Sequence, residues 1–161
     1  MEDSLPEYRL IEMGFSKLGL NYRLQHLKNG QDALDFVHKE GSFQDAPRPD
    51  LILLDLNIPR TNGFKVLDAI KRDPELKTIP VVILSTSTHW EDIEICYESH
   101  ANAYLGKDFG FKFLQTLESL STFWFSTALL PGGKKFPPEK PQKAEPPYKP
   151  DFNIQCVNFS V

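Results

Sequence analysis

The chain has 161 residues, 40% hydrophobic and 25% charged, with a formal net charge of −4, the make-up of a soluble protein with room for one domain and a tail. No apolar run approaches the length of a membrane span, and the acidic start is unlike a signal peptide, so the reading is a cytoplasmic protein with no membrane partner. Residues 131–161 hold five lysines against three carboxylates, which leaves −6 on residues 1–130, a poor balance for binding nucleic acid.

From the start, Leu5, Tyr8, Leu10, Ile11, Phe15 and Leu18 recur at helical spacing, and Gly19 offers a stop. Residues 22–27 alternate as a strand, closed by Asn29-Gly30, and Ala33, Leu34, Phe36 and Val37 mark a helix over 31–40. The prolines of Asp45-Ala46-Pro47-Arg48-Pro49 make a loop. Leu51-Ile52-Leu53-Leu54-Asp55 follows, four large apolar residues ending on a carboxylate. Such a run reads as a strand buried on both faces of a parallel sheet. A helix over 63–72 ends at Asp73-Pro74, because a residue before proline is pushed out of the helical region.

Val81-Val82-Ile83-Leu84 is a second buried strand, ending at Ser85. A helix over 90–99 comes next, then the short strand Ala103-Tyr104-Leu105 before Lys107, then a last helix over 111–125. Strands alternating with helices call for an α/β, doubly wound parallel sheet. Ligands of such sheets sit at the carboxyl ends of the strands, where Asp55, Ser85 and Lys107 fall. Each residue alone also has a plainer reading: a turn aspartate, a strand-ending serine, a solvated lysine.

His26, His38, His89 and His100 have no ligand spacing, and Cys96 and Cys156 read as free thiols in a reducing compartment. Phe123-Trp124-Phe125 suits either packing on the chain's own sheet or a homodimer contact. Residues 131–161 hold seven of the thirteen prolines, all between Pro131 and Pro150, and read as an extended, solvated tail. Its end, 152–161, has strand-like composition and no evident home.

Glu2-Asp3 at the start would join Asp55 at the same rim if Met1 ended a strand. Two carboxylates ~4 Å apart repel by about 4 kcal/mol at an effective dielectric of 20. A hard dication such as Mg²⁺ relieves that repulsion, and a lysine and a hydroxyl beside it suit phosphate oxygens. That combination meets the needs of phosphoryl transfer to an aspartate.

In these features the sequence resembles a response-regulator receiver domain. The resemblance rests on Glu2-Asp3, on the stretch from Pro49 through Asp55 to Pro59 with Gly63, on Ile79-Pro80 leading to Ser85, and on Ala103-Tyr104-Leu105-Gly106-Lys107. It covers residues 1–130. The 40–49 loop, Tyr97-Glu98-Ser99-His100 and Phe123-Trp124-Phe125 are most similar to single-domain regulators of cyanobacterial-type phytochrome kinases.

The resemblance implies a flavodoxin-like fold and a role for each matching residue. Asp55 would take the phosphoryl group from a sensor histidine kinase. Asp3, Asp55 and the Asn57 carbonyl would hold Mg²⁺, with Glu2 contacting it through water. Lys107 and Ser85 would bind the phosphoryl group, and Tyr104 would turn inward as Ser85 moves. The chain would be a phosphoacceptor with only intrinsic phosphotransfer and autodephosphorylation, not an enzyme in the usual sense. A phosphorylation-independent interaction module with a degraded site is the alternative. A flavin- or nucleotide-binding enzyme is a third reading, opposed by the lack of a Gly-rich loop after any strand.

Two departures bear on this. The apolar strand expected before the acidic pair is absent, so the fold reads as a five-stranded receiver short of its first strand. Either an internal valine codon has been read as the starting methionine, or residues 152–161 fill the slot. And Lys107 is followed by Asp108 where the family usually has proline, so Asp108 would compete for the lysine's charge.

Overall fold

Residues 5–16, 22–59, 61–108, 110–132 and 152–157 are described by the structure, a computed structural model. Five parallel strands form one sheet: β1 (Tyr22–Leu27), β2 (Leu51–Asp55), β3 (Val81–Ser85), β4 (Ala103–Gly106) and β5 (Phe152–Val157), in the order β1-β5-β2-β3-β4. The helices are α1 (Leu5–Ser16), α2 (Gly30–His38), α3 (Gly63–Arg72), α4 (Trp90–Glu98) and α5 (Phe111–Thr122), with Phe123–Thr127 continuing α5 as a wider π turn.

Side-chain alternation along each strand divides the core. Ile52, Leu54, Val81, Ile83 and Val157 pack toward Phe36, Val37, Val66, Leu67 and Ile70 of α2 and α3. Leu51, Leu53, Val82, Leu84, Ile154 and Cys156 pack the other way, against Ile11 and Phe15 of α1 and Phe113, Leu117 and Leu120 of α5. All five residues of β2, and all five of β3, are buried, as strands covered on both faces must be. This is the α/β, doubly wound parallel sheet that the sequence predicts.

Local signals start and stop the helices where the sequence places them, within two or three residues. The Asn29 carboxamide caps α2 by accepting from Asp32 N at 3.0 Å, and Asn62 caps α3 by accepting from Phe64 N at 2.9 Å. Asp73 is extended ahead of Pro74 and ends α3. Lys71 of α3 is buried. Its ammonium donates to the carbonyls of Lys77 and Ile79 and to Asn102 Oδ1, and burial lowers its pKa to about 8. Gly19 lies outside the described residues.

β5 corrects the expectation of a solvated tail at 152–157, and matches the second of the two explanations for the missing strand. It pairs with β1 from Tyr22↔Phe152 to Leu27↔Val157 and with β2 from Leu51↔Ile154 to Leu54↔Val157. Without it β1 and β2 would each bury a row of unpaired backbone groups. A reciprocal pair pins its amino end: Asp50 N donates to Asn153 O at 2.6 Å, and Asn153 N donates to the Asp50 carboxylate at 2.7 Å. The proline-rich 133–151 lies outside the described residues, and the body reaches at least Leu130, which is buried against the α1–α5 side.

The aromatic triplet divides. Phe125 is buried edge-on against Phe15 at 5.8 Å between ring centres, Trp124 is half-buried, and Phe123 is exposed.

Candidate functional site

β2 delivers Asp55 to the carboxyl edge of the sheet and buries it, with 1% of its surface exposed. One carboxylate oxygen, Oδ1, accepts from Asn57 N at 2.9 Å across the turn that follows. The other, Oδ2, lies 2.6 Å from Lys107 Nζ, which is also buried. β3 and β4 bring Lys107 there: Ser85 pairs with Gly106 in register, and Lys107 N donates to Ser85 O at 2.8 Å. Ser85 is fully buried at the end of β3. Three residues from three parts of the sequence, Asp55, Ser85 and Lys107, thus meet at one rim.

Tyr104 lies one loop away. Its hydroxyl donates to Ser87 O at 2.9 Å, and burial is the main cause raising its pKa. Ser87 also ties the loop between β3 and α4 to the helix, donating from Oγ to the Asp92 carboxylate at 2.6 Å. Ser85 Oγ accepts from Ser87 N at 3.1 Å, so the hydroxyl at the rim and the ring of Tyr104 bind the same short loop. Ser87 and Asp92 went unread in the sequence. The run Ser85-Thr86-Ser87-Thr88 ahead of a helix with Asp92 in its first turn is the signal that could have shown them.

Asp108 does not take the place of Asp55 as partner of the lysine. It pairs with Lys112 at 3.0 Å on the surface, one turn into α5, while Lys107 reaches inward.

Glu2 and Asp3 lie outside the described residues. α1 nevertheless begins at the same edge. The Tyr8 ring lies 5.1 Å from His26 near the carboxyl end of β1, whereas Tyr22 at its other end donates to Glu12 O. No group of three or more His, Cys, Asp or Glu side chains able to hold a metal is found among the described residues. What they offer is one carboxylate, Asp55, with the exposed Asn57 turn beside it, a hard-oxygen set that fits a cation keeping several waters.

The turn after Asp55 depends on a glycine. A Cβ on Gly63 would stand 2.4 Å from Asp55 O and 2.6 Å from Leu56 Cα, both backbone atoms that cannot swing aside. Gly63→Ala should therefore push β2 and α3 apart. A lowered urea midpoint, equivalent to about 2–3 kcal/mol, is expected, with a shifted Asn57 amide resonance as the local mark.

The family model of the response regulator receiver domain matches residues 2–117. The chain is similar to response regulator Rcp1 of Synechocystis sp., 39% identical over 132 residues that cover 81% of this chain and 90% of that protein. Among solved structures it is similar to the Mn²⁺-bound form of Rcp1, with a TM-score of 0.77 and 39% identity over 81% of this chain and 95% of that one. The phosphorylated cyanobacterial phytochrome response regulator RcpA is similar to the same degree, with a TM-score of 0.77 and 40% identity over 81% and 94%.

Proposed function

This chain belongs to the response-regulator receiver family, and on that premise we propose that it receives a phosphoryl group on Asp55 from a sensor histidine kinase, of the phytochrome type. The reading is carried by one observation: a carboxylate and an ammonium, both buried, 2.6 Å apart at the carboxyl rim of a parallel sheet. A buried pair like this is weak evidence of stabilisation, since desolvation offsets much of the attraction. Its value lies in a nucleophile held in place with a cation ready for the charge that arrives.

In the transfer a carboxylate oxygen of Asp55 attacks phosphorus in line with the phosphohistidine nitrogen. The P–O bond forms as the P–N bond breaks, and the imidazole leaves with the electron pair. Lys107 then moves from carboxylate to phosphoryl oxygen, and the Ser85 hydroxyl donates to another. Mg²⁺, held by Asp55, the Asn57 carbonyl and Asp3, with Glu2 through water, would neutralise phosphoryl charge in the transition state.

Once Ser85 turns toward the phosphoryl group its bond from Ser87 N weakens, and the loop that Tyr104 holds is free to move. Tyr104 then settles inward and alters the surface of α4, β4 and α5, a shift between two states rather than a new fold. Hydrolysis of the acyl phosphate by water returns the chain to its first state. Contact with other proteins, a homodimer among them, carries the signal, in the cytoplasm.

The test is incubation of the whole chain with Mg²⁺ and acetyl phosphate. An acyl phosphate should map to the Asp55 peptide and be missing from Asp55→Asn. A folded chain that acquires no adduct would leave a phosphorylation-independent interaction module as the function.

A further inference from the structure

On the reading of Asp55 as the phosphoryl acceptor, on which this rests, we propose that Asp92 is a positioning residue for the same reaction. By holding Ser87 it keeps the Ser85 hydroxyl turned toward the loop between β3 and α4. It thereby sets how readily the site takes the arrangement that binds a phosphoryl group.

Each polar group of Ser87 binds a different element. Its N–H donates to Ser85 Oγ at 3.1 Å, and its carbonyl accepts from the Tyr104 hydroxyl at 2.9 Å. Its own hydroxyl donates to Asp92 Oδ2 at 2.6 Å. The links to Ser85 and Tyr104 run to residues that move when a phosphoryl group arrives. The link to Asp92 does not, so it decides how firmly the loop is held between transfers. A hydroxyl donating to an ionised carboxylate makes a short bond, about twice as strong as a neutral one. The same Ser87 oxygen accepts from His89 N at 3.3 Å, just ahead of α4, where the His89 side chain makes no capping bond of its own. Ser87 thus does the capping and Asp92, in the first turn of the helix, orients it.

Packing does little else to hold α4. Among the described residues of this helix Cys96 alone is buried, whereas Trp90, Ile95 and Tyr97 are exposed. The comparison is α3, which buries Val66, Leu67 and Ile70. A helix so lightly packed depends on polar bonds at its ends: Ser87 with Asp92 at the start, and Tyr104 N donating to the Tyr97 hydroxyl at 3.3 Å toward the finish. Loss of the first frees the loop and the amino end of α4 together. Ser87 N then leaves Ser85 Oγ more often, and the serine hydroxyl is available to a phosphoryl oxygen in a larger fraction of molecules. The apparent readiness of the site scales with that fraction.

Asp92 and Ser87 are half-buried, so replacing either leaves the core intact. In the full chain with Mg²⁺ and acetyl phosphate, Asp92→Ala should label Asp55 at least about threefold faster than the unmodified chain. Before any phosphodonor is added, the Ser87 amide should exchange its hydrogen at least about tenfold faster. Asp92→Asn keeps an oxygen for the Ser87 hydroxyl without the charge and should fall between the two. Ser87→Ala combined with Asp92→Ala should label no faster than Ser87→Ala alone, because the two residues act through one bond. Unchanged or slower labelling of Asp92→Ala would overturn the proposal, even beside faster exchange at Ser87, and leave Asp92 a helix-capping partner only. Unchanged exchange at Ser87 would overturn it as well. So would an additive gain in the double variant, which assigns the effect to the Asp92 charge acting without Ser87. Absence of an adduct from the unmodified chain is a different failure: it refutes the acceptor role of Asp55, and this proposal with it.

Discussion

Removing residues 152–161 should abolish the cooperative unfolding transition and leave a chain without a stable sheet. Ile154, Cys156 and Val157 are each 1% exposed or less. Burial of side chains of that size is worth about 1.5–3 kcal/mol apiece, so the three together supply roughly 4–9 kcal/mol. The stability of an ordinary domain is itself only about 5–15 kcal/mol. The backbone makes the loss worse, because β5 pairs on both sides and its removal strips partners from β1 and β2 at once. Urea titration followed by circular dichroism is the measurement: a broad, non-cooperative decline is expected for 1–151, and a midpoint within error of the full chain would refute it. Gln155→Leu serves as the contrast. Its carboxamide oxygen has no partner and its nitrogen makes only a 3.4 Å contact to Ala33 O, so an apolar side chain there should raise stability by about 1–2 kcal/mol.

The same strand marks where the sequence was legible and where it was not. Residues 51–55 and 81–85 announce themselves, since an apolar run ending in one polar residue has few homes other than the middle of a parallel sheet. Asp55 and Ser85 follow from that, for each ends such a run, and parallel strands put their carboxyl ends on one edge. β5 announces itself poorly. Asn153 and Gln155 break its apolar character, and the prolines before it read as solvated chain. Periodicity tells which segments are strands but not which strands pair, and β5 lies more than a hundred residues from β1. What identified the slot was a deficit elsewhere: two strands, β1 and β2, with nothing between them. In the family pattern an apolar strand directly before the acidic pair fills that slot; here residues 152–157 fill it. The position of Lys107 was open for a different reason. With Asp108 in the place of proline, local backbone preference does not settle where the lysine points, and it is the Lys107 N to Ser85 O bond and the Asp55 carboxylate that aim it.

Lys107→Met should separate the two parts this lysine plays. In the resting chain the substitution removes the cation from a carboxylate that is 1% exposed, and an uncompensated buried charge costs about 3–5 kcal/mol. Asn57 N still donates to the carboxylate, so the loss belongs toward the lower end of that range. If the cost is the stranded charge and not lost packing, removing Asp55 as well should recover most of it. Asp55→Leu with Lys107→Met is therefore expected to be more stable than Lys107→Met alone, with a coupling of about 2 kcal/mol in a double-mutant cycle. The second part appears with acetyl phosphate and Mg²⁺. Asp55 is still present in Lys107→Met, so labelling continues, but without a cation to meet the incoming charge its rate should fall by about 10²-fold. A Lys107→Met chain as stable as the unmodified one would mean that other groups already compensate the carboxylate. Unchanged labelling would mean that the lysine faces Asp55 for the sake of the resting structure and takes no part in receiving the phosphoryl group.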